Sequence, residues 1–318
     1  MSKIVITGGA GFIGSHIAEA LVPDHEVIII DNLDLYYSPK LKHKNLDAVR
    51  QKGDFTFIEG DVTDLALMKN VIDDTVDYVY HEAAQAGVRI SVEDPFKPNH
   101  INVVGTLNVL KASLEAGVKR VINASSSSVY GKVQYLPFDE KHPTQPVSPY
   151  GVSKLAAEHY CRVFYEVYGL PTVSLRYFTV YGPRMRPDLA ISIFTGNMLA
   201  NEPITVFGDG EQTRDFTYIE DIVKVNVELL KKDVADGSVM NVGGGQRITV
   251  NELIRHIREI TGSVSKVVYS DTQKGDAEHT LAGVELAEKL VGYKPDVSVQ
   301  KGLNRFVTWF RGTKDGCI

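Results

Sequence analysis

Tyr150 and Lys154 stand four residues apart in the string Ser148-Pro149-Tyr150-Gly151-Val152-Ser153-Lys154. Leu155-Ala156-Ala157-Glu158-His159-Tyr160 continues it as a helical sequence, Ser148 is a good N-cap, and Pro149 suits the first helical position. On a helix, positions i and i+4 share one face, so a phenol and an ammonium are held side by side. A neighbouring positive charge favours the phenolate, which predicts a Tyr150 pKa lowered toward working pH and a base able to take a proton from a hydroxyl. Upstream, the apolar Val121-Ile122-Asn123-Ala124 runs into Ser125-Ser126-Ser127-Ser128-Val129-Tyr130-Gly131. A strand that ends in hydroxyls at the carboxyl edge of a parallel sheet lies where ligands bind. A serine there is able to hold a substrate hydroxyl while Tyr150 exchanges its proton.

The elements needed to set a cofactor against this pair begin at the N-terminus. Lys3-Ile4-Val5-Ile6-Thr7 reads as a strand, Gly8-Gly9-Ala10-Gly11-Phe12-Ile13-Gly14 as a turn, and Ser15-His16-Ile17-Ala18-Glu19-Ala20-Leu21 as a helix. Gly8, Gly11 and Gly14 permit a tight turn and let backbone N–H groups, with those of Phe12 and Ile13, approach a pyrophosphate at the helix start. A second apolar strand, Val27-Ile28-Ile29-Ile30, ends in Asp31, followed by Asn32. A carboxylate there accepts hydrogen bonds from a ribose 2′-hydroxyl and repels a 2′-phosphate, which predicts NAD rather than NADP. Asp61, followed by Val62 in Glu59-Gly60-Asp61-Val62-Thr63-Asp64, is placed either to reach an adenine amino group or to cap a helix. After Tyr78-Val79-Tyr80-His81, the small residues Ala83 and Ala84, with Gln85, let a dinucleotide lie close.

Composition sets limits. A chain of 318 residues with 43% hydrophobic content forms one large domain or two intimate ones. Its net charge of −6 argues against nucleic acid and anionic membrane surfaces as partners. No apolar stretch reaches the roughly 20 residues needed to span a bilayer, and glycines interrupt the first apolar run, so no signal peptide is expected. The two cysteines, Cys161 and Cys317, are expected to be reduced thiols of a cytoplasmic protein, with Cys161 packing in a helix. No metal-ligand cluster stands out among nine His and two Cys.

Strands are predicted near 3–7, 26–31, 54–59, 77–81, 119–125 and 172–177, and helices near 11–22, 64–73, 100–116 and 149–169. This alternation implies an α/β fold with a doubly wound parallel sheet, covered on both faces. Gly169 and Pro171 terminate the last of these helices. Residues 1–180 are read as the Rossmann cofactor domain. Residues 181–318 are read as a smaller α/β substrate lobe with helices near 190–200, 219–232 and 249–261 and strands near 204–206, 239–242 and 265–269. That boundary is soft, because the chain is free to cross back to the sheet.

From Lys3 to about Leu281 the chain resembles the extended short-chain dehydrogenase/reductase family, and within it the NAD-dependent nucleotide-sugar 4-epimerases. The strings that carry the resemblance are Thr7 to Gly14, Asp31-Asn32-Leu33, Ser125 to Gly131, Tyr150 to Lys154, Arg176 to Pro183 and Arg214-Asp215-Phe216. The resemblance implies a tightly held NAD, a UDP-sugar substrate and inversion at C4 through a transient 4-keto sugar. It places the catalytic hydroxyl at Ser126, with Ser127 and Ser128 near the sugar, and Tyr177 beside the cofactor. Decarboxylases and 4,6-dehydratases of similar fold carry a carboxylate within the Ser-Val-Tyr-Gly region, whereas this chain has only hydroxyls there.

Three features are similar to UDP-glucuronate 4-epimerases rather than to galactose-type enzymes. They are Thr179 before the second Val-Tyr-Gly, Gln273 three residues ahead of Asp276, and the string Ala84-Gln85-Ala86-Gly87-Val88-Arg89. Asp34-Leu35-Tyr36-Tyr37 and Arg184-Met185-Arg186-Pro187-Asp188 share the likeness. A uronate carboxylate needs a charge-assisted partner, and arginine offers a two-pronged one. Arg186 is the candidate, with a diphosphate or surface role as the alternative, and Arg89 is a second anion partner. Arg214 and Asp276 resemble diphosphate and ribose contacts, while Phe207 stacks near uracil or belongs to the core. UDP-glucose or UDP-N-acetylglucosamine remains the alternative substrate. The family resemblance also implies a homodimer through helices 100–116 and 149–169, with Val152, Leu155, Val163 and Phe164 compatible with that interface.

Overall fold

β1 (Lys3–Thr7) is apolar on both of its faces, and that property organises the fold. Ile4 and Ile6 enter one core while Val5 enters another on the opposite side of the sheet. β2 (Glu26–Asp31) repeats the alternation, sending Val27 and Ile29 to the first core and Ile28 and Ile30 to the second. A strand buried on both faces requires helices on both sides, which parallel crossovers provide. This computed structural model describes residues 1–272 and 277–313.

In chain order, α1 (Phe12–Leu21) joins β1 to β2, and α2 (Pro39–Arg50) leads to β3 (Thr56–Glu59). α3 (Leu65–Val71) precedes β4 (Tyr78–His81), after which come the short α4 (Val88–Glu93) and α5 (Phe96–Pro98). A π-helical turn over Asn99–Val104 then runs into α6 (Gly105–Ala116) and β5 (Arg120–Ser126). α7 (Pro149–Tyr168), β6 (Thr172–Tyr177) and β7 (Thr179–Tyr181) follow, then α8 (Ala190–Ala200), β8 (Ile204–Phe207), β9 (Thr213–Tyr218) and α9 (Ile219–Lys231). The remainder is β10 (Ser238–Val242), β11 (Arg247–Thr249), α10 (Val250–Thr261), β12 (Val267–Ser270), α11 (Glu285–Val291) and α12 (Val299–Gly312).

The central sheet has the order β10-β6-β5-β4-β1-β2-β3, and every pairing in it is parallel. This is the doubly wound α/β arrangement expected from the alternation. The strand order reverses between β1 and β4, which places a crevice at their carboxyl ends. One face is covered by residues of α1, α2 and α9, and the other by Met68 and Val71 of α3, Val109 and Leu110 of α6, and Cys161 and Phe164 of α7. Two small sheets, β11-β9-β7 and β12-β8, build the wall opposite the crevice.

Four differences from the sequence expectations have identifiable causes. β10 is a strand of the second half that joins the central sheet beside β6, through the register Ser238↔Val173 to Val242↔Tyr177. α2 was not expected, because its sequence is strongly polar and only Leu46 and Val49 supply apolar burial. α12 was not expected either, although Ser298 accepts a bond from Lys301 N at its start and Val299, Leu303, Phe306 and Val307 are buried along one side. The helix expected from residue 100 begins as the π turn, and α6 follows at Gly105.

Candidate active site

A cavity of about 1380 Å³ opens at the carboxyl ends of β1 and β4 and continues under the small sheets. Pockets for one small ligand run to roughly 1000 Å³, so this one has room for two. Every described residue singled out from the sequence as binding or catalytic borders it: Gly8, Gly11, Phe12, Ile13, Gly14, Asp31, Asn32, Asp61, Val62, Ala83, Ala84, Gln85, Arg89, Ser126, Ser127, Ser128, Tyr150, Lys154, Tyr177, Thr179, Arg186, Phe207 and Arg214. Asp276 lies outside the described residues.

The Tyr150 end is built by α7. The Ser148 side chain accepts from Gly151 N at 3.1 Å, Pro149 occupies the first turn, and Gly169 closes the helix in the left-handed conformation. Gly151 lets the helix lie directly on the serine turn, since a Cβ there would be 2.5 Å from Ser128 O. Ser126 caps that turn by accepting from Ser128 N at 3.1 Å, and it lowers the Tyr150 phenol's pKa. Lys154 is buried, and its Nζ donates to Ala124 O at 2.7 Å, at the end of β5.

The electrostatics differ from the expectation that Lys154 would depress the Tyr150 pKa. Burial raises the phenol above its ordinary value; Ser126 and the Arg186 guanidinium pull it back in part, and Glu82 pushes it up. Loss of water opposes the phenolate more than its neighbours favour it. Burial also lowers Lys154 to about 8, against the opposing charges of Glu82, Cys161 and Glu158. Beneath the pair, the Arg176 guanidinium grips both oxygens of Glu158 at 2.8 Å, while Ser125 donates to the same carboxylate.

The β1–α1 end fits a dinucleotide. Gly8 has φ +70°, and a Cβ on it would lie 2.6 Å from Ala83 N, so the two strand ends approach as closely as backbones allow. A Cβ on Gly14 would collide with Gly8 O. The first turn of α1 begins at this cradle, and its leading N–H groups have no partners within the helix. Asp31 is oriented by Ala10 N at 3.1 Å and Leu33 N at 2.9 Å, with Lys42 Nζ at 3.7 Å. Asp61 accepts from Thr63 N at 2.8 Å and from Asn32 Nδ2 at 2.7 Å. Burial pushes its carboxyl up, but these bonds prevail and hold it below the usual range. The cap of the next helix is Asp64, which accepts from Leu67 N at 3.0 Å, so Asp61 does not cap it. Among the described residues no group of three or more His, Cys, Asp or Glu is arranged to hold a metal.

At the other end, Arg186 donates through Nε and Nη2 to the two oxygens of Asp188, at 2.9 and 3.0 Å. Tyr36 Oη donates to Asp188 Oδ2 at 2.9 Å, and the guanidinium lies over the Tyr36 ring at 5.4 Å. The Arg89 guanidinium lies 4.7 Å above the Phe207 ring, which joins the cofactor half to the small sheets across the cavity mouth. Arg214 Nη1 donates to Thr213 O and Glu278 O, both at 3.0 Å.

Three site residues were missed in the sequence. Asn102, on the π turn, accepts from Gln85 N at 2.7 Å and donates to Gln85 O at 3.1 Å and Ser153 Oγ at 2.9 Å, tying the segment after β4 to α7. A buried asparagine between Ile101 and Val103 was the available signal, and π turns recur at functional sites. Glu82 accepts from Tyr177 Oη at 3.2 Å and borders the cavity. Asp188 was quoted as part of a motif, but its hold on Arg186 is a contact that spacing alone does not reveal.

This geometry agrees with what comparison finds. The chain is 37% identical to a UDP-glucuronate 4-epimerase of Thermodesulfobacterium geofontis, over 97% of this chain and 96% of that protein. Among solved structures, a UDP-glucuronic acid 4-epimerase from Bacillus cereus in complex with UDP-glucuronic acid and NAD is 37% identical, with a TM-score of 0.93 over 98% of this chain and 99% of that one. A UDP-glucose 4-epimerase from Thermotoga maritima with UDP-glucose is 36% identical, with a TM-score of 0.91 over 98% and 100% of the two chains. Residues 4–243 match the model of one family, and the chain is a member of it: the NAD dependent epimerase/dehydratase family.

Proposed function

We propose that the protein is an NAD-dependent UDP-sugar 4-epimerase whose substrate pair is UDP-glucuronate and UDP-galacturonate. The observation that carries this reading is the convergence of Ser126, Arg186 and Tyr150 on one cavity, where Ser126 and the Arg186 charge both act on the phenol. Bound NAD supplies a reversible acceptor for the hydrogen and electron pair of C4. Gly8, Gly11 and Gly14 cradle its pyrophosphate, Asp31 its ribose and Lys154 its nicotinamide ribose. Tyr150 takes the proton of the C4 hydroxyl, Ser126 holds that oxygen, and Tyr150 returns the proton once the 4-keto sugar has turned its other face. Arg186 holds the C6 carboxylate, Thr179 contacts the substrate, and Arg214 holds the diphosphate. Ser127 and Ser128 contact the sugar, Phe207 stacks on uracil, and Asp276 contacts the uridine ribose.

A second reading has one observation in its favour. Asp188 already fills the Arg186 fork, so a neutral UDP-glucose or UDP-N-acetylglucosamine needs no exchange of carboxylates there. Separate incubations with UDP-glucuronate, UDP-glucose and UDP-N-acetylglucosamine decide between them. Product from the uronate alone supports the proposal, and rapid turnover of UDP-glucose with none of the uronate overturns it.

Homodimer formation and a cytoplasmic setting belong to the same proposal. The outer face of α7 exposes Val152 at 54%, Val163 at 37% and Val167 at 66%, an apolar stripe that a second copy would cover. Phe164 is in the core instead. Among the described residues no helix is long and apolar enough to cross a membrane.

A further inference from the structure

Glu82 follows β4 at the reversal of strand order, and its place is fixed by backbone. Its N–H donates to Thr7 O at 3.1 Å, and a Cβ on Gly8 would lie 2.8 Å from its carbonyl carbon. Its carboxylate accepts from Tyr177 Oη, and that hydroxyl is fastened by Asn226 Nδ2 at 2.9 Å. Glu82 and Ala124 each lie one residue past the paired His81↔Asn123, and the Ala124 carbonyl accepts from Lys154 Nζ of α7 at 2.7 Å. Lys154 acts on the Glu82 carboxylate, and that carboxylate acts on Tyr150. Tyr177 of β6 and Tyr80 of β4 face it as well. Lys154 in turn feels Cys161 and Glu158 on its own helix and acts on His81 of β4.

We infer that Glu82 is a positioning residue for the Lys154–Tyr150 pair, supplying the fixed negative charge that keeps the buried Lys154 an ammonium during turnover. This rests on the reading of Tyr150 and Lys154 as the working pair. Burial drives Glu82 up to about 7, with Lys154 and the Tyr177 bond opposing. Lys154 is brought down to about 8. Above pH ~7 the carboxylate is therefore charged, which is where the ammonium begins to need it. Because the same charge disfavours the Tyr150 phenolate, its removal moves both titrations toward acid.

The test compares wild type with Glu82→Gln and Glu82→Asp. The kcat–pH profile of Glu82→Gln is expected to shift acidward by ~1 unit on its alkaline limb. Glu82→Asp, which keeps the charge, is expected to recover most of that shift. If Glu82→Gln turns over too slowly, competitive acetylation of Lys154, read by peptide mass spectrometry across pH, gives the amine titration without turnover. Labelling of Lys154 should then begin about one pH unit lower in the variant. A profile and a labelling curve that stay in place in Glu82→Gln overturn the inference, whatever happens to stability. Tyr150→Phe separates the two claims: retained turnover there defeats the assignment of Tyr150, while the labelling curve still judges Glu82.

Discussion

Arg186 meets Asp188 edge-on, with Nε at 2.9 Å from one carboxylate oxygen and Nη2 at 3.0 Å from the other. The chain thus carries its own carboxylate in the fork proposed to receive that of the substrate. Asp188 is held below the usual carboxylate range because the Arg186 bonds outweigh burial, so it is ionised throughout the neutral range. The fork is preset in orientation by that pairing.

Replacing Arg186 with Ala tests this directly. Charge-assisted hydrogen bonds contribute ~1.5–3 kcal/mol each. We expect kcat/KM for UDP-glucuronate to fall about 10- to 100-fold, with a much smaller change for UDP-glucose. Initial-rate measurements on both sugars check it. An equal loss on both would remove Arg186 from carboxylate recognition.

Gly151→Ala should separate catalysis from binding. The added Cβ meets the Ser128 backbone carbonyl at 2.5 Å, so either α7 or the serine turn must move. Misplacement of this size between reacting groups costs roughly 10- to 100-fold in rate. The expected result is a drop in kcat with KM nearly constant. A variant with unchanged kcat would show that the turn tolerates displacement.

Cys161 offers a check on the sheet–α7 interface. It is buried, and burial pushes its thiol up to about 12, with Ser174 opposing. In a Cys317→Ser background, a disulfide reagent at pH 7 should find no reactive thiol in native protein and one after denaturation. Rapid reaction of the native protein would mean that α7 opens readily.

His16 links stability to pH. Its Nε2–H donates to Pro183 O at 2.9 Å, and its Nδ1 accepts from Arg184 Nη2 at 2.6 Å, which requires a neutral ring. Burial, then Arg184, lowers its pKa to about 3. The unfolded value near 6.5 is higher, so the unfolded chain takes the proton first. The contribution is therefore full above pH ~6.5 and is lost as pH falls toward 3, by about 2 kcal/mol at pH 5. Urea unfolding of wild type and His16→Gln at pH 7 and pH 5 should show the gap between them narrowing by that amount. A constant gap would mean that His16 does not titrate on unfolding.

The nucleotide end was legible because its signals are local. Strand, glycines, helix, strand and Asp31 come in order, and α7 lies between Ser148 and Gly169, a cap and a stop that a reader can see. What escaped was decided by distant partners. Asn102 matters through Gln85 and Ser153, and Glu82 through Tyr177 and Lys154. Spacing brought Tyr150 and Lys154 to one face but could not reveal that Lys154 would bond Ala124 O, or that burial would outweigh charge at the phenol. β7 and β11 are three residues each and are held in a sheet only by pairing with β9, so neither announces itself.

β10 makes the molecule indivisible. Its five residues arrive from far downstream to complete the ladder along β6, whose own residues are all buried. A fragment severed near residue 183 would leave β6 with a bare row of amides and carbonyls and an uncovered apolar flank, a template for sticking to its own kind. Gene fusions, split reporters or recombined halves that cut this chain between its nucleotide and sugar ends should therefore yield aggregates rather than two working modules.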